Sequence, residues 1–198
     1  MGFLVAPVIA PGILGAAAQP TVSGRGVVLR PWRDTDVADL VTAYSDDAIR
    51  RWHALTLDPQ EAAQTIERWR AGWRAETAAS WAAVGDEDRV LGRVGFRVLH
   101  PGDGSGELVY WTMPAARGRG VARAAVEALV GWAFETGFHR LDLMHSTANP
   151  GSCRVALAAG FRAEGTLRSA VLHADGWHDM HLHARISTDP APEGARAV

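Results

Sequence analysis

The chain contains no lysine: all 20 of its basic residues are arginine. A Walker-type phosphate loop needs a lysine on the phosphates, and Schiff-base chemistry needs a lysine amine, so both are excluded. Cysteine is nearly absent as well. The single Cys153 rules out an internal disulfide and fits a reducing, cytoplasmic setting. Neither sign of charge dominates. The 20 basic and 22 acidic residues leave a net charge of -2, and nothing in that balance argues for nucleic acid or an anionic membrane surface as a partner. No apolar run is long enough to span a bilayer. Met1 to Pro20 is apolar, but no basic residue precedes Arg25, and Pro7 and Pro11 interrupt the run, which argues against a secretory signal. Position 6 is Ala6, not the Ser or Thr of a myristoylation site. The length suits one domain, with an N-terminal extension over 1–24, a folded unit over 25–187 and a tail over 188–198 that is expected to be mobile.

What is present centres on Arg117-Gly118-Arg119-Gly120-Val121-Ala122. It lies between an apolar run ending near Met113 and an amphipathic run ending near Gly137, which reads as strand, glycine turn, helix. Glycines let the backbone approach a ligand, and the first turn of a helix offers unpaired N–H groups and a positive dipole end. Such a place binds phosphate or pyrophosphate, and two arginines add charge of the right sign. The dinucleotide fingerprint is incomplete, because its third glycine position is Arg123.

Along the chain, Val27 to Arg30 reads as a strand stopped by Pro31, and Asp36 to Ala48 as a helix. Asp58-Pro59 with Glu61 starts a second helix running to about Glu76. Strands are expected over Ser80–Val84, Val90–Leu99 and Glu107–Met113, then a helix to about Glu135 and a strand over Leu141–His145. Asn149 to Ser152 opens a helix closed by Gly160, and the last strands are Phe161–Leu167 and Asp179–Ile186. In the last of these, Met180, Leu182, Ala184 and Ile186 alternate with His181, His183 and Arg185. The order combines antiparallel neighbours with one β-α-β crossover, an α+β arrangement on a mixed sheet.

The carrying motifs are Leu29-Arg30-Pro31-Trp32, Tyr110-Trp111 before the glycine turn, Asn149 with Ser152, Gly160-Phe161, Glu164-Gly165 and Gly176-Trp177-His178-Asp179. In this order and spacing the chain resembles the GCN5-related N-acetyltransferases (GNAT), in the branch of the ribosomal-protein alanine N-acetyltransferases. The resemblance implies a twisted, mostly antiparallel sheet of about seven strands with helices on both faces. It also implies a splay between the fourth and fifth strands, Glu107–Met113 and Leu141–His145 here. Acetyl-CoA would lie in the splay as cosubstrate, with no metal. Thr112 and Met113 would meet the pantetheine arm with main-chain groups, Arg117, Gly118, Arg119, Gly120, Val121 and Ala122 would hold the pyrophosphate, and Asn149 would contact the cofactor. Ser152 would sit near the thioester sulfur. The implied acceptor is a small-molecule amine or a protein N-terminus, taken by a monomer or homodimer.

Acetyl transfer needs an amine that loses a proton, a polarised carbonyl and a quenched thiolate. Ser152 is the candidate for the last. Glu107 is the first candidate base, with a solvated residue at the start of a strand as the alternative reading. The resembled branch can carry a glutamate after Glu-Gly where this chain has Val171, which leaves a non-catalytic acetyl-CoA-binding regulatory module as the rival function. His145 stands where relatives have an aliphatic residue; it is a base, an acceptor contact or a hydrogen-bonded core histidine. Trp52, His53 and Trp111 are candidate acceptor-pocket residues, whereas Trp69 and Trp73, at i, i+4, read as a packed helix face. His181 and His183 share a strand face, but with no cysteine or carboxylate on that face they make a poor zinc site. Cys153 reads as a packed helix residue.

Overall fold

The computed structural model describes residues 4–192. Eight strands form one sheet: β1 (Val22–Gly24), β2 (Val27–Pro31), β3 (Ala79–Val84), β4 (Val90–His100), β5 (Ser105–Thr112), β6 (Arg140–Ser146), β7 (Arg162–His173) and β8 (Gly176–Ile186). Their spatial order is β1-β2-β3-β4-β5-β6-β8-β7. Every neighbouring pair is antiparallel except β5–β6, the one parallel pair, joined by the crossover helix α4 (Val121–Thr136). The sheet has eight strands rather than about seven, because Val22–Gly24 adds an edge strand that the short Val-Ser-Gly sequence does not announce.

The α5 helix (Pro150–Ala158) joins α4 on one face. On the other lie α1 (Val37–Ser45), α2 (Asp47–His53) and α3 (Pro59–Arg74). The α4 stripe of Val126, Leu129, Val130 and Ala133 is buried against the sheet, where each large aliphatic side chain contributes about 1.5–3 kcal/mol. The α3 start matches its sequence: Asp58 accepts from the Glu61 N–H, Glu61 accepts from the Asp58 N–H, and Pro59 opens the helix. Trp69 and Trp73 are both packed but turn to different clusters. Trp73 meets Trp81 and Trp132, while Trp69 meets Trp32 and the Arg93 guanidinium.

Two sequence expectations shift. The helix expected over Asp36–Ala48 is two helices, because Asp46 leaves helical geometry and its side chain caps α2 through the Ile49 N–H at 3.0 Å. The last strands are much longer than expected and form a hairpin, β7–β8, whose register shifts hide its alternation. The segment before Arg25 docks on the domain. Glu76 accepts from the Gly12, Leu14 and Gly15 N–H groups, and the Trp73 and Trp81 indoles donate to the Ala17 and Pro20 carbonyls. Of the tail expected to be mobile, residues 193–198 lie outside the described residues. Among the described residues, no helix is long and apolar enough to cross a membrane.

The splay is visible in the strand register. Pairing of β5 with β6 runs from Ser105↔Arg140 to Leu108↔Leu143 and stops there. Beyond that point Val109–Thr112 stays on β4, while β6 stays on β8 as far as Ser146.

Candidate active site

The glycine turn leads from the end of β5 into α4. Gly118 and Gly120 have φ of +73° and +77°, and a Cβ on either would meet nothing within 4 Å. Glycine is therefore dictated by the backbone, and the space above the turn is open. Gly120 caps α4 with no side-chain hydrogen bond, and the positive dipole end of this 16-residue helix faces the open space. Val121 turns its side chain into the core, so its role toward a ligand is limited to the main chain. The Arg117 guanidinium rests on Asp46 and holds that carboxyl below the usual range, linking the turn to the α2 cap. Arg119 borders a separate depression with Arg25.

A cleft of about 540 Å³ runs over this turn between Tyr110–Thr112 and the start of α5, where Asn149, Gly151 and Ser152 line it. The Asn149 side chain accepts from the Ser152 N–H at 3.1 Å and so fixes the first turn of α5. Strand alternation settles which β5 amides face the splay. The Met113 N–H donates to the Leu91 carbonyl and the Met113 carbonyl accepts from Ala116, so both its main-chain groups are engaged away from the cleft. Tyr110 and Thr112, one strand parity away, direct theirs to the open side. Of the two main-chain contacts expected for a pantetheine arm, the geometry thus offers Thr112, and adds Tyr110.

A second cavity of about 270 Å³ lies on the other side, lined by Arg97, Glu107, His145, Ser146, Val171 and His173 among others. Both spaces share Trp52, His53, Tyr110, Asn149 and Ser152. At this junction the Tyr110 hydroxyl is 2.7 Å from Ser152 Oγ. Burial pushes the phenol up to about 12, so it stays protonated at neutral pH, as a proton donor must. The His53 ring donates to the Tyr110 main chain, but burial first, then the Arg93 charge, push its pKa down to about 4, leaving it neutral.

Glu107 lines the second cavity with its carboxylate on Arg97. His145 is a buried, hydrogen-bonded histidine: Nδ1 donates to the Ser146 carbonyl at 2.9 Å, and Nε2 lies 3.1 Å from His183 Nε2. Trp52 stands at the junction, edge-on to His173 and His178. Trp111 borders the first cleft but is 5% exposed and packs with Trp32 and Tyr44, a core role more than a contact surface. A wide groove between α2 and the tip of the β7–β8 hairpin opens into the second cavity through Ala54, Leu172 and His173.

Sequence reasoning missed the role of Tyr110 as a polar group, although its position before the turn was visible. It also missed a hydrogen-bonded chain. Ser146 Oγ lies 2.7 Å from His178 Nδ1, and His178 Nε2 lies 2.8 Å from Asp175, which is at the surface. No local spacing joins Ser146 to His178; only the hairpin fold does.

The acetyltransferase (GNAT) domain model matches residues 27–162, and the chain belongs to this family. It is 33% identical over 101 residues to the ribosomal-protein-serine acetyltransferase of Escherichia coli (strain K12), a match covering 50% of this chain and 56% of that relative. The chain thus spans little more than half of that relative's length. The fold is shared with RimJ of Mycobacterium smegmatis in complex with CoA-disulfide, at 23% identity and a TM-score of 0.76 over 84% of this chain and 86% of that one. It is also shared with ribosomal-protein-S5-alanine acetyltransferase of Vibrio fischeri, at 19% identity and a TM-score of 0.76 over 88% of this chain and all of that one.

Proposed function

We propose that this chain transfers the acetyl group of acetyl-CoA to a primary amine by direct attack in a ternary complex, and that the amine is a polypeptide N-terminus. The carrying observation is the meeting of two differently built cavities at Tyr110 and Ser152. The cleft over the glycine turn suits a pyrophosphate, through the uncapped α4 N–H groups. The cavity beyond Tyr110 suits the acceptor, and the groove between α2 and the hairpin gives an extended chain a way in. The E. coli relative is named for acetylating a ribosomal protein, which favours the same acceptor class.

Acetyl-CoA supplies the activated acetyl group as a thioester. Main-chain N–H groups on the open side of β5 polarise its carbonyl. Tyr110, with Ser152 beside it, donates a proton to the departing thiolate. Glu107 takes the ammonium proton, held in place by Arg97. The Ser146–His178–Asp175 chain runs from the same cavity to the surface. Holding amine and thioester together supplies much of the acceleration, so a weak base suffices.

The test is a thiol-release assay with acetyl-CoA against N-terminal peptides and small amines, run beside calorimetry of acetyl-CoA binding. Turnover with peptides ahead of polyamines is the expected result. Tight binding without turnover of any amine would favour a regulatory acetyl-CoA-binding module, the reading that Val171 in place of an acid supports. Absence of binding would refute both.

A further inference from the structure

Two members of the polar row of β8 are buried: His183 is 1% exposed and Arg185 8%. Arg185 donates to the Ala159 carbonyl at 3.0 Å through Nη1, and its Nε has no hydrogen-bond partner. His183 is buried more deeply. Its Nδ1 has no hydrogen-bond partner, and Nε2 meets only His145 Nε2. One neutral hydrogen bond is poor compensation for burying two ring nitrogens.

The surroundings of His183 supply a reason for its burial. Register places His181 opposite His145 across β6–β8, and His183 next along the same face. Helix α5 covers that face and brings Cys153 over it. One ligand atom from each of His145, Cys153, His181 and His183 lies within 4.8 Å of the other three. Cys153 thus supplies, from a different element, the cysteine that the strand face itself lacks.

We propose that His145, His181, His183 and Cys153 form a tetrahedral site for a borderline-soft divalent cation, zinc above all. Three imidazoles and a thiolate are a zinc donor set, and a tetrahedron with bonds of this kind places ligand atoms about 3.3–3.7 Å apart. The His145–His183 pair is already at 3.1 Å, and closure brings His181 and Cys153 in from within 4.8 Å. His145 is oriented as a ligand: its Nδ1–H is fixed on the Ser146 carbonyl, which leaves the Nε2 lone pair facing the cluster. Binding releases the Cys153 thiol proton to solvent and forms the sulfur–metal bond. Four protein ligands leave no open position, so the ion is structural. It ties the first turn of α5, and with it Asn149 and Ser152, to β6 and β8. The site stands independently of the proposed acetyl transfer.

The test uses the full, tag-free chain, stripped with chelator and titrated with cobalt(II) as a spectroscopic probe. One cobalt per chain is expected, with tetrahedral ligand-field bands and a thiolate-to-cobalt charge-transfer band. Cys153→Ser, at a half-exposed helix position, should abolish the charge-transfer band while circular dichroism stays unchanged. His181→Gln should weaken binding at least about tenfold. Zinc should raise the melting temperature of the wild-type chain and raise it less, or not at all, in Cys153→Ser. Absence of a tetrahedral cobalt spectrum in the folded chain, or the same spectrum in Cys153→Ser, would overturn the site.

Discussion

On one side of the splay, Arg117 to Ala122 and Asn149 to Ser152 are short runs in which sequence neighbours are spatial neighbours. Each run leads into the N-terminal turn of a helix, and its chemistry comes mainly from main-chain N–H groups and caps. On the other side, Arg97, Glu107, Ser146 and His173 come from four different strands and line the cavity with side chains. A site made of backbone needs only the right local conformation, so it is encoded by glycines and a capping asparagine. A site made of side chains needs strand register and hairpin geometry, and each residue type in it has other roles elsewhere. On the proposed function, the glycine-turn side is built to be general, and the side-chain cavity is where specificity resides.

The junction can be tested apart from either side. Tyr110→Phe keeps the ring and removes the hydroxyl that faces Ser152. It should lower kcat by about a hundredfold in stopped-flow thiol release while the Kd for acetyl-CoA stays within twofold or so. Equal loss of kcat and affinity would mean that Tyr110 belongs to cofactor binding alone. Gly120→Val attacks the cofactor side only. It forces a branched residue into a positive φ and puts atoms into the open cleft, which should cost about 1–2 kcal/mol, or roughly tenfold in acetyl-CoA affinity by calorimetry. Peptide KM should be unaltered, and a matching rise in peptide KM would erase the distinction between the two sides.

The third effect is on stability, through His53, which lines both cavities. Its pKa is lowered from an ordinary 6.5 to about 4 in the folded chain. Between those values the unfolded chain binds a proton that the folded chain does not, so stability rises with pH across this window. His53 therefore withdraws roughly 1–3 kcal/mol as pH falls from 6.5 to 4, and loses nothing above 6.5. Denaturant melts over this range should show a shallower pH slope in His53→Gln. An unchanged slope would show that the junction is wetter than its packing implies.

The same division governs how far the sequence could be read. The glycine turn, the α3 capping box and the Asn149 cap were legible because each is a local rule. The break at Asp46 was legible in principle, since Ser45-Asp46-Asp47 is a capping sequence, but the amphipathic run overrode it. The full length of the hairpin was not legible: its bulges break the alternation that marks a strand, and its exposed face lacks a regular apolar row. Tyr110 was visible as a motif residue, yet its partner Ser152 lies 42 positions on. The grouping of Cys153 with the histidines was not legible for a similar reason. Alternation placed His181 and His183 together, but could not show that α5 would cover them.

By itself the sequence determined a mixed sheet with one crossover, a phosphate-type helix start after a strand, and chemistry without lysine or disulfides. These follow from periodicity, turn residues and composition, which act over a few neighbours. Only the tertiary structure decided that β5 and β6 part after Leu108 and Leu143, and that Tyr110 meets Ser152 where they part. It alone brought His145, Cys153, His181 and His183 together. Those contacts depend on strand register and on which helix lands on which face, and both are set by packing of the whole domain.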